Sequence, residues 1–327
     1  MPRAPEVEMK AIDWQPLRAG KAHFPQPYFK HTEWPKGSVI LLSALCFLPG
    51  SVCAGATLPP QDSPATQESA AKIEIPFRFC NDNLVIVKAT IGNLRNVNMI
   101  IDTGTSPSLI SKAVAHKLKL PRMAKSLDTV NGTIQAESAV LPALDFGPLH
   151  AGSLHVTVHD LTFIEHSLGI SLGGIIGLDV LSSRTFTIDY PRRRIAFGMI
   201  PPELKTVPFA AGAPRLMIRG NIDGRPVRLL VDSGTGGLVL YRNRFKPAFG
   251  REVLYHDGSI LANGGMIPTN WIRGRVSVGD ETLGARDIAI VDIDSDPRDE
   301  FDGLMGFAKM GFHRVSFDFE NGRFGWD

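Results

Sequence analysis

The chain has 327 residues, 43% of them hydrophobic and 21% charged, with a formal net charge of +2. That is length for two domains and enough apolar mass for a sizeable core, which excludes a disordered, collagen-like or multi-span membrane chain. The small charge balance offers no broad basic field to nucleic acid, and three cysteines without a Cys-x-x-Cys pair exclude a zinc ribbon and a disulfide framework.

Residues 1–35 carry Trp14, Pro16 and Pro25 without apolar periodicity. They read either as a genuine extension or as an over-extended start, Met9 being the one alternative. Val39 to Leu48 (VILLSALCFL) is a ten-residue apolar run led by Lys36, broken at Pro49-Gly50 and followed by Ala54-Gly55-Ala56. A positive flank, a short apolar core and an A-x-A site are the parts of a secretory signal peptide, and the run is roughly half the length of a membrane span. Residues 1–56 are therefore expected to be a leader with a signal peptide. The protein is expected in the periplasm or the medium, with no membrane span once the leader is cleaved. Cleavage after Ala56 removes six Lys/Arg and four Asp/Glu, leaving 29 of each sign, and leaves Cys80 as the lone cysteine. Residues 57–72 (TLPPQDSPATQESAAK) read as a flexible linker.

The rest of the chain repeats itself once. Val97-x-Met99-Ile100-Ile101-Asp102-Thr103-Gly104-Thr105 recurs as Val227-x-Leu229-Leu230-Val231-Asp232-Ser233-Gly234-Thr235, 130 residues on. Gly174-Ile175-Ile176-Gly177 recurs as Gly303-Leu304-Met305-Gly306, and Ile188-Asp189-Tyr190 as Phe317-Asp318-Phe319, both 129 residues on. Three landmarks in one order at one spacing mean a tandem duplication.

Both halves read as strands: short runs rich in Val, Ile, Phe and Thr (LVIVKATI, LHVTVHD, TFTIDY, DIAIVDI, RVSFDF) are separated by Gly, Pro, Asn and Asp. Leu109 to Leu120 has helical spacing, with Tyr241 to Phe249 as its weaker counterpart. Ile200 to Pro214, with four prolines, reads as a linker. This predicts an all-β chain with an N-terminal lobe over 73–199, an interlobe linker over 200–214 and a C-terminal lobe over 215–327.

Each Asp-[Thr/Ser]-Gly follows an apolar strand. Such a strand delivers an Asp to a loop, the glycine admits backbone amides to the carboxylate, and hydroxyls one and three residues on can brace the loop and donate to the acid. If the two halves face each other about a pseudo-two-fold axis, Asp102 and Asp232 meet. Two carboxylates at that distance cannot both ionise, so they share a proton and can serve as a base and an acid.

These loops, with Ile175-Ile176-Gly177 and Leu304-Met305-Gly306, resemble the retropepsin and pepsin group of aspartic proteases. The helical run after the first loop is similar to the bacterial exported branch. The resemblance covers about residue 73 to the end. It implies two tandem retropepsin-like β-barrel lobes with a short helix after the catalytic loop, and peptide-bond hydrolysis by an activated water without metal or cofactor. It implies Asp102 and Asp232 as the catalytic pair, Thr103 and Ser233 as cross-braces, Thr105 and Thr235 as donors to the outer carboxylate oxygens, and Gly104 and Gly234 as close amides. Flaps are expected at Thr129 to Gln135, around Asn131-Gly132, and at Leu261 to Ile267, around Asn263-Gly264; neither holds the tyrosine of pepsin-like flaps. The partner implied is a protein or peptide substrate, and with both lobes in one chain a monomer is expected. The rival reading keeps the fold as a catalytically inactive peptide-binding or scaffolding protein.

Other motifs fail on geometry. His155 and His159 lie four apart on an expected strand, about 13 Å from each other, too far to clasp one metal. Asp292-x-Asp294-x-Asp296 starts like a calcium loop, but Pro297 stands where glycine is needed. Arg192-Arg193-Arg194 reads as a solvated hairpin tip.

Overall fold

Apolar runs become strands almost wherever the sequence carries them. The computed structural model describes residues 39–41, 73–81, 83–129, 132–213, 215–245, 253–262, 265–291 and 301–327, all within the unit Lys36–Asp327.

In the first lobe the sheet order is Arg78–Cys80, Leu84–Ile91, Leu94–Ile101, Gly174–Ile176, Leu109–Ser111, Leu149–His159, Gly132–Phe146 and Met123–Thr129. Pairing of Leu84–Ile91 with Gly132–Phe146 curls the sheet back on itself. The second lobe repeats the plan with Met217–Ile222, Arg225–Val231, Gly303–Met305, Leu238–Tyr241 and Glu281–Val291. Its long strand Gly265–Val278 pairs with both Met217–Ile222 and Glu281–Val291, and with Val253–Ala262 on the outside. Val39–Leu41, from the expected leader, lies parallel to Ile260–Ala262 at that outer edge.

The duplicated Gly-apolar-apolar element has the same place in each lobe. Gly174–Ile176 runs parallel to Met99–Ile101 and antiparallel to Leu109 and Ile110; Gly303–Met305 runs parallel to Leu229–Val231 and antiparallel to Leu238–Leu240. A Cβ on Gly174 would overlap the Leu109 carbonyl, and one on Gly303 the Val239 carbonyl. Only glycine allows two backbones this close.

A third sheet belongs to neither lobe alone. Its order is Lys205–Pro208, Arg323–Trp326, Arg314–Asp318, Phe186–Asp189, Arg194–Phe197 and Ile73–Pro76. At its centre Thr187 faces Ser316 in register, their hydroxyls 2.8 Å apart. These are equivalent positions of the repeat, so the pseudo-two-fold axis passes between them. Phe186 stacks on Phe317 with ring centroids 4.7 Å apart, and Phe324 and Trp326 extend the aromatic layer. One buried cluster runs through this layer into both lobes. Burial of each such ring stabilises the fold by about 1.5–3 kcal/mol, so the sheet is part of the core and not a tether.

The structure differs from the sequence reading in several elements. Residues 200–214, expected to be a linker, contain the strand Lys205–Pro208, paired with Arg323–Trp326. The helix expected from Leu109 starts at Lys112: Leu109–Ser111 is a buried strand, and the Ser111 hydroxyl caps α1 (Lys112–Lys117) by accepting from Val114 N–H. In the second lobe Tyr241 ends a strand, and one turn follows in which Phe245 N–H donates to the Tyr241 carbonyl; residues 246–249 lie outside the described residues. Two short helices, α2 (Thr162–Leu168) and α3 (Leu178–Leu181), were not read from the sequence. No described helix is long and apolar enough to cross a membrane.

Candidate active site

Met99, Ile100 and Ile101 in one lobe, and Leu229, Leu230 and Val231 in the other, are entirely buried. Each triplet anchors a strand whose next residue is an aspartate. The crossing element then pins that residue: Asp102 N–H donates to the Ile176 carbonyl and Asp232 N–H to the Met305 carbonyl, each at 3.0 Å. The chain turns at once, with Thr105 N–H directed to the Asp102 carbonyl and Thr235 N–H to the Asp232 carbonyl.

The two loops lock into each other. Thr103 Oγ1 donates to the Val231 carbonyl at 2.9 Å and accepts from Ser233 N–H at 3.0 Å. Ser233 Oγ donates to the Ile101 carbonyl and accepts from Thr103 N–H, both at 3.0 Å. Each hydroxyl thus uses one donor and one acceptor function on the opposite lobe, and the pattern maps onto itself when the lobes are exchanged.

The carboxylates are held the same way. Gly104 N–H donates to Asp102 Oδ1 and Gly234 N–H to Asp232 Oδ1, at 2.8 Å each. Thr105 Oγ1 donates to Asp102 Oδ2 at 2.8 Å and Thr235 Oγ1 to Asp232 Oδ2 at 2.7 Å. A Cβ on Gly104 would lie 2.6 Å from Asp232 Cγ, so glycine is what admits the second acid. Burial first, then the charge of Asp232 and a side-chain hydrogen bond with it, hold the Asp102 carboxyl well above the usual carboxylate range. Thr105 and the Gly104 amide pull the other way without winning. The result is an Asp102 carboxyl that retains its proton where a separate carboxylate has lost its own. Both acids have 0% exposure.

All eight loop positions read from the sequence (Asp102, Thr103, Gly104, Thr105, Asp232, Ser233, Gly234 and Thr235) therefore come together. At the two places where flaps were expected, strands pair at their ends: Thr129 with Gly132 and Ala262 with Gly265. Gly132 opens the strand Gly132–Phe146; Asn131, Asn263 and Gly264 lie outside the described residues, as does the Asp292–Asp296 segment. His155 and His159 sit on the strand Leu149–His159, as expected.

Three residues around the site were not read from the sequence. Asn83 Nδ2 donates to the Gly234 carbonyl at 3.3 Å, a further tie from the first lobe to the second loop. Ser108 and Asp179 join loop and crossing in the first lobe: Asp179 Oδ1 accepts from Ser108 Oγ at 2.6 Å, and Asp179 Oδ2 from Ser108 N–H at 2.9 Å. The signal was available as a break in the repeat, since the register places Leu238 opposite Ser108 and Ala308 opposite Asp179.

Two comparisons with known proteins bear on the fold. Residues 87–180, which include Asp102 and the first crossing, match the family described as aspartyl protease. The crystal structure of an aspartic proteinase from Irpex lacteus superposes with a TM-score of 0.51, covering 78% of this chain and 97% of that one. The fold is that of an aspartic proteinase. Sequence identity to the Irpex lacteus proteinase is 13%, and no curated protein matches. The family match lies within the first lobe.

Proposed function

We propose that the protein is an aspartic endopeptidase whose substrate lies in a cleft between the lobes, with Asp102 and Asp232 at its floor. The observation that carries this reading is the reciprocal lock of the two Asp-[Thr/Ser]-Gly-Thr loops around two buried carboxyls, Asp102 and Asp232, held beside each other. A pair that shares one proton can act in both directions at once. The ionised carboxylate takes a proton from a water held between the two acids, and the protonated one gives its proton to the carbonyl oxygen of the scissile peptide. Water oxygen bonds to the carbonyl carbon, forming a neutral gem-diol. The acid that took the water's proton then gives it to the amide nitrogen while the other carboxylate takes a proton from one gem-diol hydroxyl, so the C–N bond breaks to a carboxylic acid and an amine and the singly protonated pair is restored. The outer hydrogen bonds from Thr105, Thr235, Gly104 and Gly234 hold the carboxyl planes still during this exchange, so little reorganisation is needed at the moment of reaction.

Around this core we place an exported monomer. The apolar run Val39 to Leu48 and the Ala54-Gly55-Ala56 site support secretion with loss of residues 1–56. Both halves of the site come from one chain, so a second copy is not needed to complete it.

The test is cleavage of a mixed peptide library by the full chain and by its Asp102→Asn and Asp232→Asn forms, across about pH 3 to 8, where a shared-proton pair titrates. Cleavage by the wild type that both variants lose supports the two-carboxylate mechanism. A bell-shaped acidic to near-neutral profile is expected, and a rate rising steadily into alkali would contradict it. No cleavage by any folded form replaces the endopeptidase with a peptide-binding protein of the same fold.

A further inference from the structure

The two lobes solve one local problem differently. Where the crossing leaves the catalytic loop, the backbone N–H of the crossing glycine is buried and needs a partner. In the second lobe Gly306 N–H finds the Gly237 carbonyl at 2.9 Å, and Lys309 N–H the Gly236 carbonyl. In the first lobe Gly177 N–H finds a side chain instead, Ser108 Oγ at 2.9 Å.

Ser108 is a junction. Its hydroxyl accepts from Gly177 and donates to Asp179 Oδ1; its N–H donates to Asp179 Oδ2; its carbonyl accepts from Thr157 N–H at 3.0 Å. The Ser108–Asp179 hydroxyl bond, at 2.6 Å, is in the range of an O–H donating to an ionised carboxylate, about twice the strength of a neutral bond. Ser108 itself is 1% exposed, six residues beyond Asp102 on the same loop. Asp179 reaches it from the second residue of α3, two residues after the crossing glycine. A single carboxylate therefore ties the far end of the Asp102 loop to the crossing that pins its near end. The Asp232 loop has no such tie: at the matching places stand Leu238 and Ala308.

We propose that Asp179 is a positioning residue for the first catalytic loop, acting through Ser108 to hold residues 102–108 at the spacing from Gly177 at which Asp102 meets Asp232. The kinetic part of this proposal rests on the endopeptidase reading; the conformational part does not. Asp179→Asn presents an NH2 to one of the two Ser108 donors and keeps one bond at most. Ser108→Ala removes the hydroxyl and leaves Gly177 N–H without it, whereas Ser108→Thr retains the oxygen.

The experiment uses the full chain and has two readouts. Hydrogen–deuterium exchange is followed in peptides covering 102–108 and 232–238. Peptide cleavage is measured with kcat and KM separated. Asp179→Asn and Ser108→Ala should accelerate exchange in 102–108 at least about 10-fold and leave 232–238 within about 2-fold, because local opening is confined to the loop that loses its tie. kcat should fall about 10- to 100-fold with KM within about 2-fold, as expected when a reacting group is displaced by a fraction of an ångström to one ångström. Ser108→Thr should keep both near wild type. Unchanged exchange in 102–108, or equal acceleration in both segments, overturns the proposal, the second outcome marking Asp179 as a general stabiliser. A wild type that cleaves nothing while exchange responds as expected removes the endopeptidase reading and leaves the positioning role standing.

Discussion

The reciprocal lock of Thr103 and Ser233 can be tested as an energy as well as a geometry. Thr103→Val keeps the branched shape and deletes Oγ1, taking a partner from Ser233 N–H and from the Val231 carbonyl. Ser233→Ala does the same to Thr103 N–H and the Ile101 carbonyl. Both hydroxyl-bearing residues are at most 1% exposed, so the stranded groups have little access to bulk water. A buried group left unpaired costs about 1–3 kcal/mol, so each variant should lose about 2–6 kcal/mol. Against a total of about 5–15 kcal/mol for a typical domain, that is a large fraction. The assay is urea unfolding of the full chain, read by tryptophan fluorescence for both single variants and the double variant. The four bonds cross one interface, and opening either pair lets the loops separate, so the double variant should lose less than the two singles combined, by about 0.5–3 kcal/mol. If both single variants stay within about 0.5 kcal/mol of wild type, as surface substitutions do, the lock is not holding the lobes together and the reasoning fails.

The other hydroxyl pair on the axis should behave differently. Thr187→Val breaks the bond with Ser316 Oγ, but Ser316 still donates to the Phe186 carbonyl, so the loss should be about 1 kcal/mol in the same urea experiment; a loss as large as that of Thr103→Val would refute this. The pH dependence of stability has a fixed sign. Because the folded state holds the Asp102 proton that an unfolded chain releases from about pH 3.9, the stability this contributes is complete below that pH and disappears as pH climbs toward the raised value. Relative to Asp102→Asn, the urea midpoint of the wild type should therefore fall as pH rises from about 4. A difference between the two proteins that stays constant or grows in the wild type's favour as pH rises would show that Asp102 is ionised in the folded state.

Much of the site was legible because duplication writes it twice. An Asp-Thr-Gly alone is a turn. Its recurrence as Asp-Ser-Gly at the same distance from a Gly-apolar-apolar-Gly element identifies two loops that must serve one purpose, and all eight loop residues converge. Strands were legible from apolar runs for the same reason that they are buried: Leu84–Ile91 and Leu94–Ile101 carry their hydrophobic residues into the core. What the pattern did not carry was pairing. Lys205–Pro208 has two prolines within the surrounding four residues on either side, and it is a strand because Arg323–Trp326 offers it an edge, a partner more than a hundred residues away. The start of α1 was misplaced because Leu109 and Ile110 fit helical spacing but are claimed by the crossing strand Gly174–Ile176. In each case a long-range hydrogen-bond ladder overrode a local preference.

A search for repeats reports what two halves share and is blind to where they diverge. Yet the chemistry asked of the pair is itself unsymmetrical: at any instant one acid is protonated and the other is not. The shared elements (the lock, the outer threonines, the glycine amides) treat Asp102 and Asp232 alike and cannot by themselves distinguish them. The differences lie one layer out, where Ser108 and Asp179 bind the first loop to its crossing, where the Gly306 and Lys309 amides bind the second to its own through backbone carbonyls, and where Asn83 reaches the second loop from the first lobe. A loop tied to its crossing by a carboxylate and a loop tied to its crossing through backbone carbonyls need not yield equally when a peptide enters. The place to look for a division of labour between two nearly identical aspartates is therefore in the residues that the duplication did not preserve.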